Sequence, residues 1–135
     1  MRVLLDTNVV ISAILFGGIP RELLIGAIQG EFEIVTSLSL LDELEEVLID
    51  KFAFSREAAM ETRREFVSLA VIVEPREVPR VCRDPDDNLV LAAAVEGGAA
   101  AIVTGDEDLL AVGTYDGVVI VRPGEFTRRV PRPNR

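Results

Sequence analysis

Four carboxylates, Asp6, Glu43, Asp87 and Asp106, fall at the ends of the elements that this chain predicts. Asp6 closes the apolar run Val3-Leu4-Leu5, and Asp106 follows Ala101-Ile102-Val103-Thr104-Gly105. Glu43 lies in the first turns of a helix that begins near Ser39, and Asp87 in the first turn of a nearly all-apolar helix. Carboxylates gathered in one place repel each other unless a cation joins them, and hard divalent cations prefer oxygen ligands. The chain has no His and a single Cys, Cys82. That excludes a soft zinc or copper site, a Ser-His-Asp triad, a His general base and an HExxH zinc motif. The chemistry left to these acids is an oxygen-lined Mg²⁺ or Mn²⁺ site.

Strands and helices alternate along the sequence. Strands are predicted over 2–5, 32–36, 70–73, 100–104 and 118–121. Helices are predicted over 9–16, 20–29, from a Ser37 or Ser39 cap to 51, from a Ser55 cap over 56–69, from Asp84-Pro85 to 96, and over 107–112. Asp116-Gly117 makes a turn, and 125–129 forms a last helical turn. The strands are solid β-branched runs without period-2 alternation, which indicates a parallel sheet covered on both faces. The expected fold is therefore α/β: a three-layer α/β/α sandwich around a central parallel sheet of about five strands. In such sheets ligands bind outside the carboxyl ends of the strands, where Asp6 and Asp106 stand.

Each acid also has a purely structural reading. Asp6 can cap the helix that follows, and Asn8, two residues on, can hold a water. In the third helix Leu40, Leu41, Leu44, Val47 and Leu48 form the apolar stripe. Glu43 and Glu45 fall on its opposite borders, and Asp42 and Glu46 face solvent. The wheel alone does not choose between Glu43 and Glu45. Asp84, Asp86 and Asp87 crowd one helical turn, where the helix dipole favours carboxylates. Asp84 is the expected cap and Asp87, further in, the expected ligand. Asp108 is a second cap or an outer contact to Asp106.

A length of 135 residues with 49% apolar content fits one domain with its own core. A lone cysteine permits no internal disulfide, which fits a reducing cytosol. Asp6 interrupts any signal-peptide h-region, and no run is apolar enough for a membrane span. Net charge is −9, unevenly spread: residues 122–135 hold five arginines against Glu125 alone, while residues 1–121 carry −13. The division expected is a domain over 1–127 and a basic, flexible tail over 128–135. Arg83 beside the acid cluster, and Arg128 and Arg129 in the tail, are the candidates for contacting a nucleic-acid backbone.

The opening Val-Leu-Leu-Asp6-Thr7-Asn8, the Ser-x-x-Leu-x-x-Glu43-Leu helix, Asp84-Pro-Asp-Asp87-Asn88 and Thr104-Gly105-Asp106-x-Asp108-Leu109 occur in order. In these motifs, and over nearly its whole length, the chain resembles the PIN domain family, in particular the VapC-like subgroup described broadly as toxins of prokaryotic type II toxin–antitoxin pairs. The resemblance implies that Asp6, Glu43, Asp87 and Asp106 bind Mg²⁺ or Mn²⁺ and catalyse hydrolysis of single-stranded RNA. Thr104, Asn8, Asp84 and Asp108 would support them through hydrogen bonds. It further implies a homodimer and an antitoxin partner in the cytoplasm. The main alternative is a non-catalytic module that keeps the fold and binds a protein or RNA partner. A receiver domain would need paired acids after the first strand and a late lysine, whereas Asp6 is alone and Lys51 is the only lysine. An aspartyl phosphatase would need Asp-x-Asp where this chain has Asp6-Thr7-Asn8.

Overall fold

The computed structural model describes residues 1–129. In chain order the elements are β1 (Arg2–Leu5), α1 (Thr7–Leu15), α2 (Gly18–Ile28), β2 (Glu33–Ser37), α3 (Leu38–Phe52), α4 (Arg56–Val67), β3 (Ala70–Val73), α5 (Pro85–Glu96), β4 (Ala101–Val103), α6 (Glu107–Val112), β5 (Thr114–Tyr115), β6 (Val118–Val121) and α7 (Pro123–Arg129). The strand order is β3-β2-β1-β4-β6-β5. The first five of these run parallel, as expected, and β5 pairs antiparallel with β6.

The parallel strands are hydrophobic throughout because both faces are buried, and their residues sort by parity. Val3, Leu5, Ile34, Ala101, Val103 and Val121 point to a core shared with α1, α2, α3, α4 and α7. Leu4, Val35, Ile102, Val118 and Ile120 point to the opposite core, shared with α5 and α6. The first core carries the bulk, including Phe32 and Phe126 packed edge to face at 5.5 Å. The second is filled by Ala93 and Ala94 of α5, so that helix approaches the sheet closely. At its end Gly97 lies against Val35, where a Cβ would clash. This tight seat explains why α5 is apolar on almost every face.

The sixth strand, β5, is not among those expected. It has only two residues, too short for any periodicity, and the local signal is the turn itself. Asp116 (φ 49°) and Gly117 (φ 83°) take the left-handed conformations of a two-residue hairpin. The helix α2 begins at Gly18, with Pro20 in its first turn, where a missing N–H is harmless. Ser37, Ser55 and Asp84 cap α3, α4 and α5. Arg128 and Arg129 form the last turn of α7, so the first two residues of the expected tail are helical. Residues 130–135 lie outside the described part. Among the described residues, no single helix is long and apolar enough to cross a membrane.

Candidate active site

The strand order reverses direction between β1 and β4, and the acids collect at the carboxyl ends of these two strands. Asp6 leaves β1 and caps α1, its Oδ1 accepting from the Thr7 amide at 2.8 Å. Its own amide donates to the Val103 carbonyl at 3.0 Å, tying the end of β1 to β4. Its Oδ2 accepts from the Thr104 hydroxyl at 2.7 Å. Thr104 is fully buried, and the same hydroxyl oxygen accepts from the Asp106 amide at 3.0 Å. One hydroxyl thus couples Asp6 to the loop that carries Asp106. Asp106 caps α6, accepting from the Asp108 amide at 3.2 Å.

Across the cleft, Asp84 caps α5 by accepting from the Asp86 amide at 2.9 Å. That leaves Asp87, one turn in, unused by the cap. Asp87 is 8% exposed, and its Oδ2 is buried with no hydrogen-bond donor among the described residues. Asp106 and Asp108 face it, one oxygen from each of the three lying within 4.8 Å of the others. Two carboxylates share a hydrogen bond only when one is protonated. Burial, then the Asp106 carboxyl as partner and as charge, push Asp87 up to about 7, with Asp84 and Asp6 adding to the shift. Burial also raises Asp6, helped by the Asp106 charge and opposed by the bonds from Thr104 and Thr7. Glu43 is raised by burial and by the Asp6, Asp86 and Asp84 charges, against a hydrogen bond from the Thr7 side chain. Burial is the largest cause of all three shifts, and the neighbouring carboxylates add to each.

The choice the helical wheel left open is settled by α4. Arg63 takes Asp42 at 2.7 Å and Glu45 at 3.5 Å, turning both away from the cleft. Glu43 instead lines it. The cleft has a volume of about 400 Å³ and is bounded by Asp6, Asn8, Glu43, Asp84, Asp86, Asp87, Val90, Gly105 and Asp106. All four acids singled out from the sequence therefore meet. Asp108, expected as a cap or outer contact, is exposed and does not line the cleft, but one of its oxygens lies within 4.8 Å of oxygens of Asp87 and Asp106. Its signal in the sequence is only its position two residues past a cap. Arg83 reaches Asp108 at 3.6 Å. Arg128 and Arg129 do not line the cleft: α7 packs on α2, and Arg129 pairs with Glu125 at 2.8 Å.

The donor set suits a hard divalent cation. It consists of oxygens only, and it includes a buried carboxylate oxygen with nothing to bond. Asp87, Asp106 and Asp108 could hold such an ion directly, with Asp6 and Glu43 adjoining.

The fold and sequence can be placed among known proteins. The chain is similar in structure to VapBC2 from Rickettsia felis, solved bound to a DNA fragment from their promoter. The TM-score is 0.62 with 17% identity, covering 89% of this chain and 97% of that one. At that identity the likeness speaks for the fold. In sequence it is 33% identical over 117 residues to an uncharacterized protein of Methanocaldococcus jannaschii, spanning 83% of this chain and 75% of the relative. The model of the PIN domain matches residues 2–108, a span that runs from the strand before Asp6 to Asp108 itself. A match over that length, with the acids at its strand and helix ends converging as described, means that the chain belongs to the PIN domain family.

Proposed function

We propose that the protein is a Mg²⁺- or Mn²⁺-dependent endoribonuclease acting on single-stranded RNA, and that it is the toxin of a prokaryotic toxin–antitoxin pair. The observation that carries the nuclease reading is the buried, donor-less Oδ2 of Asp87 in a cleft walled by carboxylates. A divalent ion held there would polarise a phosphoryl oxygen and make water nucleophilic near neutral pH. The residues supply the rest. Asp87, Asp106 and Asp108 provide the oxygens that hold the cation, and Asp6 and Glu43 add charge beside them. Thr104 fixes Asp6 and the Asp106 backbone relative to one another through a single hydroxyl. Arg83, exposed at the rim, offers its guanidinium to a phosphate that would otherwise meet only negative charge. Asn8 and Asp84 line the approach.

Association with an antitoxin and with a second copy belongs to the same proposal. It draws support from exposed apolar surface: Phe16 is 71% exposed and packs edge to face with Phe52 at 6.0 Å, with Ile19 and Ile28 also exposed. The similar Rickettsia felis structure, described as VapBC2 on its promoter DNA, points the same way.

The test is cleavage of labelled single-stranded RNA by the purified protein with Mn²⁺, with Mg²⁺ and with chelator. Glu43→Gln should lower the rate at least about tenfold, on the order of 1.4 kcal/mol of transition-state stabilisation. Glu45→Gln, whose carboxylate faces Arg63, should not. Chelator-insensitive cleavage, or cleavage that survives Asp106→Asn, would refute the proposal.

A further inference from the structure

We infer that Asn88 is a positioning residue, which holds Arg83 beside the carboxylate cluster so that its guanidinium meets a phosphate of the RNA. The inference rests on the nuclease reading above. Residues 74–84, between β3 and α5, have no regular structure, so their backbone groups have neither ladder nor helix to bond. Asn88, buried in α5, supplies partners from both ends of its amide. Its Oδ1 accepts from the amides of Val81 at 3.1 Å and Cys82 at 2.8 Å, and its Nδ2 donates to the Cys82 carbonyl at 3.0 Å. Three bonds from one side chain fasten two consecutive residues to the helix that carries Asp87.

The next residue is Arg83. Its side chain is 92% exposed, and its ion pair to Asp108 at 3.6 Å, the one it makes among the described residues, lies in solvent. Such a pair contributes little to holding a long side chain in place. The position of the guanidinium is therefore decided by where the backbone sets it. That backbone is held on one side by the Asn88 clamp and on the other by the Asp84 cap. Asp108 belongs to the oxygen group with Asp87 and Asp106, so Arg83 stands one carboxylate away from the place where a phosphodiester would be cut. A guanidinium fork binds phosphate oxygens in pairs, which requires orientation as well as proximity. An arginine on an unclamped loop would spread over many positions and bind the substrate more weakly.

The experiment is a double-mutant cycle. KM and kcat are measured for a labelled, mixed-sequence single-stranded RNA at saturating Mn²⁺, with wild type, Asn88→Ala, Arg83→Ala and the double variant. Each single variant should raise KM about tenfold, the size of one lost bond to a charged group. The kcat should stay within about twofold, the pattern of lost binding rather than lost chemistry. The double variant should be no worse than either single one, because Asn88 acts through Arg83. The rise in melting temperature on adding Mn²⁺ should match wild type in all four. Effects on KM that add in the double variant, or a loss in kcat with KM unchanged, would overturn the assignment and leave Asn88 a loop anchor only. Should Asn88→Ala not fold, Asn88→Ser carries the same cycle with the same two outcomes. A wild type that does not cleave RNA removes the nuclease reading and this inference with it. An active wild type with an additive cycle removes this inference alone.

Discussion

Asp6 and Asp87 are equally exposed, at 8% each, and they face the same cleft, yet the two corners of the molecule that hold them are built differently. At the β1–β4 corner both oxygens of Asp6 have donors, one from Thr7 and one from Thr104. At the start of α5 the Asp87 Oδ2 has none, and its nearest neighbours are further carboxylates. Burial raises both groups, but only Asp87 is carried up to about 7. The difference is one of bonding rather than burial. The first corner is closed by hydrogen bonds from the protein itself, whereas the second gathers carboxylates around an oxygen that has none.

The comparison breaks most visibly in activity. Asp6→Asn and Asp87→Asn should each reduce RNA cleavage at least about a hundredfold, or about 2.7 kcal/mol. A variant at either position with the wild-type rate would show that its corner takes no part in the chemistry.

Metal and pH sharpen the contrast in stability. In the metal-free protein Asp87 keeps its proton up to about 7, while the unfolded carboxyl releases it near 3.8. Between these values the folded state binds more protons, so stability should fall as pH rises from about 4 to about 7 and level off beyond. Asp6 and Glu43, also raised, act in the same direction. A divalent ion bound only by the folded state opposes this loss, contributing about 2.7 kcal/mol at one hundred times its dissociation constant. Calorimetry with and without Mn²⁺ should show a rise in melting temperature at pH 7–8 that nearly vanishes at pH 4–5. Asp87→Asn should abolish most of the rise, and an undiminished rise in that variant would place the ion elsewhere.

The smallest effect separates the corners without any metal. Asp6→Asn leaves one acceptor where two donors now converge and should cost about 1–3 kcal/mol in urea unfolding at pH 7. Asp87→Asn removes a buried charge that has no donor and should be neutral or stabilising under the same conditions. Equal destabilisation by both would mean that the two corners are equivalent after all.

The parts legible in the sequence are those with local causes. The unbroken apolar runs at Val3–Leu5 and Ile102–Val103 specify buried parallel strands, and Ser55 and Asp84 cap their helices because the cap is a property of neighbouring residues. Asp6 and Asp106 could be placed together because strand ends in such a sheet share one edge. What could not be read depends on distant partners. Glu43 and Glu45 are alike on a wheel, and an arginine on another helix, Arg63, separates them. The Thr104 hydroxyl reaches Asp6 across 98 positions. The lone oxygen of Asp87 is defined by the absence of donors in three dimensions, which no spacing along the chain reports. The two-residue strand β5 depends on β6 for its existence.

The central place of β1 in the sheet has a consequence for synthesis. While the chain is being made, β1 can pair with β2 as soon as the latter emerges, but its other edge waits for β4, which begins at Ala101. Thr104 and Asp106 arrive with that strand. A chain ending before β4 has Asp6, Glu43 and Asp87 but lacks Thr104 and Asp106, and so lacks the hydroxyl that ties the β1 corner to the last of the acids.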